Sequence, residues 1–260
     1  MNSPPVHRLY LHFQELPPSL RTLFTVTLLV LGCGYIFAMI YIFESHAGRD
    51  GNPSLSVQDL IIAYSGSKEG SRLESAMQGP MANMLPISEA NIISAWVRNG
   101  SELAVYEETI KPILEKRCTT CHDGSNPHIP NLHDYEHVLE TTQLDKGTDI
   151  FTLVRVSHIH LFGMTFIFFI MSLIFSHAFL RPVWLKCLIV ATPFVSILLD
   201  VFSWYLTKVY EPFAWVVMIS GVFMGAAFAF MWIVSMYQLW FYTMPEEICH
   251  RPPCPPRTVG

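Results

Sequence analysis

Charge is scarce in this chain. Only 14% of its 260 residues are Asp, Glu, Lys or Arg, where soluble domains carry about 25%. That shortage excludes a wholly soluble globule, and the 51% hydrophobic and 13% aromatic content excludes disorder. Positive charge is the scarcer sign, sixteen Lys and Arg against twenty-one Asp and Glu, which removes nucleic acid as a partner. Cysteine is sparse too. Cys33, Cys118, Cys121, Cys187, Cys249 and Cys254 are scattered, and two lie inside apolar runs, so a disulfide scaffold is excluded. Also missing are a Walker A loop, a GxGxxG after a strand, HExxH and GxSxG, and with them any sign of nucleotide chemistry or hydrolysis. A membrane protein remains.

Four stretches are long enough to span, since a spanning helix needs about 20 apolar residues. Residues 22–43, 156–180 and 212–245 contain no Asp, Glu, Lys or Arg, and residues 187–207 contain only Asp200. These runs exceed the usual length of helices buried in soluble cores. The first is longer than a signal-peptide core and lacks a small-x-small cleavage site, so it reads as a retained anchor. Basic residues in the short loops set the orientation. Arg8, Arg21, Arg181, Lys186, Arg251 and Arg257 fall on one side and Lys208 alone on the other. Both termini are therefore expected inside.

The expected organisation is an inner segment 1–21, spans 22–43, 158–180, 187–207 and 212–242, an outer segment 44–157, and an inner Pro-rich tail 243–260. No strand pattern of useful length appears. The outer segment shows helix-like apolar spacing over 56–64, 72–84, 105–117 and 132–142, and a helix over 88–99 with Ser88 as N-cap, Glu89 in its first turn and Gly100 beyond its end. The fold class is thus all-α: four transmembrane helices with a small helical domain inserted between the first two. That domain carries sixteen Asp and Glu against nine Lys and Arg. Such a field suits a basic electron-transfer partner, the alternative being simple solvation.

Inside it lies Cys118-Thr119-Thr120-Cys121-His122. Two thiols three residues apart can each form a thioether to one haem, with the following histidine held beneath the iron. CxxCH is read as c-type haem attachment for this reason. A zinc site is the alternative, with His128, His133 and His137 as the further ligands. A thioredoxin-like CxxC would need a βαβ context that is absent. Outer placement suits the haem, because covalent attachment in bacteria takes place on that side.

Over residues 56–145 the chain resembles the membrane-anchored, single-haem c-type cytochromes. The resemblance rests on Pro112-Ile113-Leu114 leading into Cys118–His122, and on Met81-Ala82-Asn83-Met84-Leu85-Pro86 followed by residues 87–100. The second string looks like the C-terminal part of a class I haem domain, where a Met beside a Pro supplies the distal ligand and a terminal helix packs an aromatic, here Trp96, on the haem. In that class the Met follows CxxCH; here it precedes it, so the element order is permuted. The resemblance implies one covalent haem held by Cys118 and Cys121, His122 as proximal ligand and Met84 as distal ligand. Met81, Met77, His128, His133 and His137 are the alternatives, with an open or water-bound iron as the last.

The spans hold three further features. His158 and His160 lie at the outer mouth of the second span, where titratable groups suggest function. Two residues apart on a helix is roughly 200°, so only one can face a given site: a second metal with His46, a quinone headgroup, or water and backbone alone. Spans three and four contain no histidine, which excludes a di-haem b cytochrome. Asp200 is either a proton relay or a hydrogen-bonded interfacial acid. Gly221 and Gly225 stand at GxxxG spacing, suited to close helix packing.

The expected function is a membrane-bound cytochrome subunit passing single electrons on the outer face of a bacterial respiratory or photosynthetic membrane, in a complex with other membrane redox subunits. An enzyme in its own right is the lesser expectation. The alternative is an accessory or assembly subunit with a metal- or quinone-contacting site near His158 and His160.

Overall fold

The computed structural model describes residues 11–67, 70–126 and 129–243. The described residues are helical, with no strand. Four helices are long and apolar enough to cross a membrane: Pro18–His46, Ile150–Phe175, Val183–Thr207 and Glu211–Trp240. The first three are α1, α8 and α9; the last comprises a 3₁₀ turn followed by α10 (Ala214–Trp240). Between α1 and α8 come α2 (Val57–Ser65), α3 (Arg72–Gln78), α4 (Ile87–Arg98), α5 (Leu103–Val105), α6 (Lys111–Arg117) and α7 (Tyr135–Thr141).

The chain divides into two compact units. One gathers residues up to 37, 158–200 and those from 219 onward, and is the main part of the four-helix bundle. Its interior is built from Leu28 of α1, Phe168, Met171, Ile174 and Phe175 of α8, Ile197 of α9 and Met231 of α10, all buried. Glycines let α1 meet α10 closely. Trp232 lays its indole over Gly32 and donates to the Leu28 carbonyl (2.7 Å). Tyr35 stacks on Phe228 (centroids 4.2 Å apart) with its hydroxyl against Gly225. Of the GxxxG pair, then, Gly225 serves packing within the chain, while Gly221 meets nothing within 4 Å.

The expected second span, 158–180, is displaced toward the N-terminus. The Asp149 carboxylate accepts the Thr152 N–H (2.9 Å), starting α8 at Ile150. At the other end α8 stops at Phe175, and Lys186 donates to the carbonyls of Ser176 and Ala178 in the turn beyond it.

The second unit, residues 38–157 and 201–218, contains the domain between α1 and α8. Capping boxes start α2 (Ser56 with Asp59) and α3 (Ser71 with Glu74). The helix expected over 72–84 stops at Gln78, because Gly79 precedes Pro80 and a residue before proline disfavours helix; Ala82–Met84 forms a separate 3₁₀ turn. Ser88 is not the N-cap of α4. Pro86 occupies that position, and Ser88 sits inside the first turn. The helix expected over 105–117 runs through α5, a π-helical stretch at Tyr106–Ile110, and α6. Pro112 accounts for the widening: it has no N–H and its ring crowds the carbonyl four residues back, and Lys111 N–H bonds instead to Tyr106, five back. α3, α4, the π-helical stretch, α6 and α7 share one core of Leu73, Met77, Leu85, Ile93, Trp96, Tyr106, Ile110, Leu114 and Val138, with Leu132 from the loop before α7.

A crossing of two loops closes this unit. Gly66 and Gly147, both at positive φ, pass so closely that a Cβ on Gly66 would stand 2.0 Å from the Asp145 carbonyl oxygen. Thr148 donates N–H and hydroxyl to the Ala63 carbonyl. Lys208, from the α9–α10 turn, places its ammonium among the carbonyls of Tyr64 (2.6 Å), Thr148 (2.8 Å) and Lys146 (3.0 Å). Tyr64 stacks on Trp204 beside it.

Candidate functional site

α6 delivers the Cys-x-x-Cys-His string at its C-terminus. Cys118 is the C-cap, its N–H bonded to Leu114 (2.7 Å). The chain then folds over this cap: Cys121 N–H and His122 N–H both donate to the Cys118 carbonyl, at 3.1 and 2.9 Å. Both thiols are free. Cys118 borders the core and burial pushes its thiol up, with Glu89 adding and Arg117 opposing; Cys121 is exposed.

His122 is oriented by its ring. Nδ1 lies 2.8 Å from the Pro130 carbonyl oxygen. A carbonyl only accepts, so Nδ1 carries the proton and the lone pair of the neutral ring is on Nε2. That arrangement is the usual one for a metal-ligating histidine, whose second nitrogen is held by a carbonyl or carboxylate. Leu132 N–H donates to the His122 carbonyl (3.0 Å), holding the loop that carries Pro130. Two free thiols at this spacing, with an imidazole whose Nε2 is left as acceptor, fit covalent haem attachment.

α4 is tied to the same place. Arg117, next to Cys118, makes a two-point contact with Glu89 in the first turn of α4 (2.9 and 3.1 Å), and the guanidinium holds this carboxyl below the usual range. Just upstream of α4 is the methionine string. Met77 is 9% exposed and committed to the core. Met84, 66% exposed, ends its 3₁₀ turn with its side chain outward; Met81 is 37% exposed. Trp96 is buried, its indole donating to the Glu102 carbonyl (3.0 Å).

The histidine alternatives separate. His133 and His137 do not share a helical face, because Asp134 is extended and α7 begins only at Tyr135. Both are exposed, and His137 lies 3.4 Å from Asp134. His128 lies outside the described residues. No group of three or more His, Cys, Asp or Glu able to hold a metal ion occurs among the described residues, so the zinc set is not assembled there.

His46 closes α1, with Nδ1 near the Ser45 hydroxyl and the Ile42 carbonyl. On α8, His158 is exposed, with Phe162 edge-on to its ring, and His160 is half-buried. Asp200 is buried, and so are Ser196, Ser203 and Thr207 on the same face of α9. Two features lay beyond sequence reading. The Pro130 carbonyl is supplied by an irregular loop eight residues past His122. In sequence Lys208 is only a loop charge, and its three carbonyl partners come from distant residues.

A family model described as a transmembrane helical domain matches residues 140–246. The match takes in α8, α9 and α10 and leaves Cys118–His122 outside. No curated protein and no solved structure matches the chain.

Proposed function

We propose that this protein is a membrane-bound c-type cytochrome subunit, with one haem joined to Cys118 and Cys121, His122 as its proximal ligand and Met84 as its distal ligand. Bound there, haem supplies one-electron exchange at its iron; the protein's part is to set potential and position. The observation that carries this reading is the His122 ring, turned by Pro130 so that Nε2 is free of the proton. The packing of α4 and α6 into one core supports the permuted likeness to class I haem domains. The haem domain stands on the outer face of a bacterial energy-transducing membrane with both termini inside. Its acidic surface receives a basic electron-transfer protein, and other membrane redox subunits complete the complex.

Haem staining of the full chain on a denaturing gel tests the attachment. Wild type stains, and Cys118→Ser with Cys121→Ser loses the covalent stain; an unstained wild type overturns the proposal. For the distal position, Met84→Ala is expected to abolish the Met–iron charge-transfer band, and a surviving band moves the assignment to Met81.

The second reading is an accessory subunit whose membrane helices serve a metal or quinone near His158 and His160. The observation favouring it is that the matched region lies on the spans and excludes the CxxCH string. Haem reduction by quinol in the purified protein alone favours a role for the spans, whereas reduction only through a partner cytochrome favours the carrier.

A further inference from the structure

The chain just before α1 is held to its unit by a closed polar circuit. The Gln238 side-chain amide, on α10, is clamped on one backbone unit: Phe179 N–H donates to Oε1 (2.6 Å) and Nε2 donates to the Phe179 carbonyl (2.8 Å). That clamp decides which end of the amide is oxygen. His12 Nε2 lies 3.2 Å from this Oε1 and must therefore be the donor. With the proton on Nε2, neutral His12 has its lone pair on Nδ1, where the Gln14 N–H arrives at 3.3 Å. His12 thereby caps the 3₁₀ turn Phe13–Glu15, and the Glu15 carboxylate accepts the His12 N–H (2.9 Å) in return. Phe13 is fully buried, with Phe24 and His177 against its ring. His177 Nδ1 donates to the Leu11 carbonyl (2.6 Å), a bond that either protonation state of His177 can make.

We propose that this circuit is an acid-released latch: a proton on His12 Nδ1 sets an N–H against the Gln14 N–H and abolishes the cap, so that residues 11–17 lose the turn that seats them and keep only the bonds to Gln238 and His177. The other charged and titratable groups around His12 act in both directions. Glu15, on the same turn, favours the proton; Lys186 of α9 and His177 oppose it. Arg21 of α1 is engaged on the Leu239 carbonyl, and the Tyr242 ring stands 5.8 Å from the His12 ring. Burial is the largest influence and pushes His12 below its ordinary value of 6.5. The freed segment takes up the proton at that ordinary value, so the latch is at full strength above it. Its hold declines as pH falls below 6.5 toward the lower value of the closed state.

Hydrogen exchange of the full chain in nanodiscs, across a pH series corrected for intrinsic rates, tests this. Protection of the peptide spanning 11–17, relative to one inside α10, is expected to fall about tenfold per pH unit below the ordinary histidine value. His12→Asn keeps an oxygen for the Gln14 N–H and cannot titrate, so its profile is flat. His177→Gln retains the fall. A flat wild-type profile overturns the latch, and this holds whether or not the variants fold. A fall that survives in His12→Asn, or disappears in His177→Gln, overturns it as well.

Discussion

Gly66→Ala is expected to lose roughly 3–5 kcal/mol of stability, at the upper end of single substitutions. The position stands at φ +89° and ψ 172°, a region essentially reserved for glycine, which alone costs an L-residue about 1–3 kcal/mol. The added methyl would also meet three backbone atoms: the carbonyl oxygen and carbon of Asp145 at 2.0 and 2.5 Å, and the Gly147 nitrogen at 2.6 Å. None is the end of a flexible side chain, so two loops must separate and the Thr148 bonds to Ala63 must break. Gly51→Ala is the control, at φ +88° with nothing within 4 Å; it carries a backbone cost with no steric clash. Thermal unfolding of the detergent-solubilised chain should place Gly66→Ala roughly 10 °C below wild type, with Gly51→Ala only slightly lowered. Equal losses in the two variants would show that the loops do not cross this closely.

Lys208→Met should have the second largest effect, about 2–4 kcal/mol. The ammonium satisfies three carbonyl oxygens on both sides of the loop crossing. Burial pushes Lys208 down, and Asp145 and Asp149 pull it back up, so charge as well as hydrogen bonding is lost with it. Methionine keeps much of the apolar stem and leaves the three acceptors without a donor. Arginine does not replace it, because a planar fork cannot take the place of a compact ammonium. Faster proteolysis and exchange within 63–66 and 145–148 are the expected signs. Unchanged exchange there would mean that the ammonium is no strut.

The spans were legible because a bilayer demands length and apolarity, and both are written in consecutive residues. Their ends were less so. Asp149 marks the start of α8 in sequence, but the turn past its end is held by Lys186, a residue of the next helix that captures the Ser176 and Ala178 carbonyls. Within the domain, proline acted where apolar spacing alone misled: Pro80 cut short the helix expected to reach 84, Pro86 displaced Ser88 from the cap, and Pro112 widened a turn. At the candidate site, Cys118, Cys121 and His122 announce themselves by spacing. The group that turns the His122 ring does not, since any residue offers a backbone carbonyl and only the fold chooses Pro130. The contact between Thr148 and Ala63, eighty-five positions apart, has no local signature at all.

α1 leaves Val30, Ile36 and Phe37 largely exposed and touches α10 through Arg21, Thr25, Leu28, Gly32 and Tyr35. Its outward positions answer to the lipid, to which one aliphatic residue is much like another. Among the inward ones, Gly32 and Tyr35 answer to an indole and a stacked ring that tolerate no substitute of another shape. The lipid-facing positions of this helix can therefore be rewritten at little cost, provided that the Gly32 notch and the Tyr35 ring are left as they are.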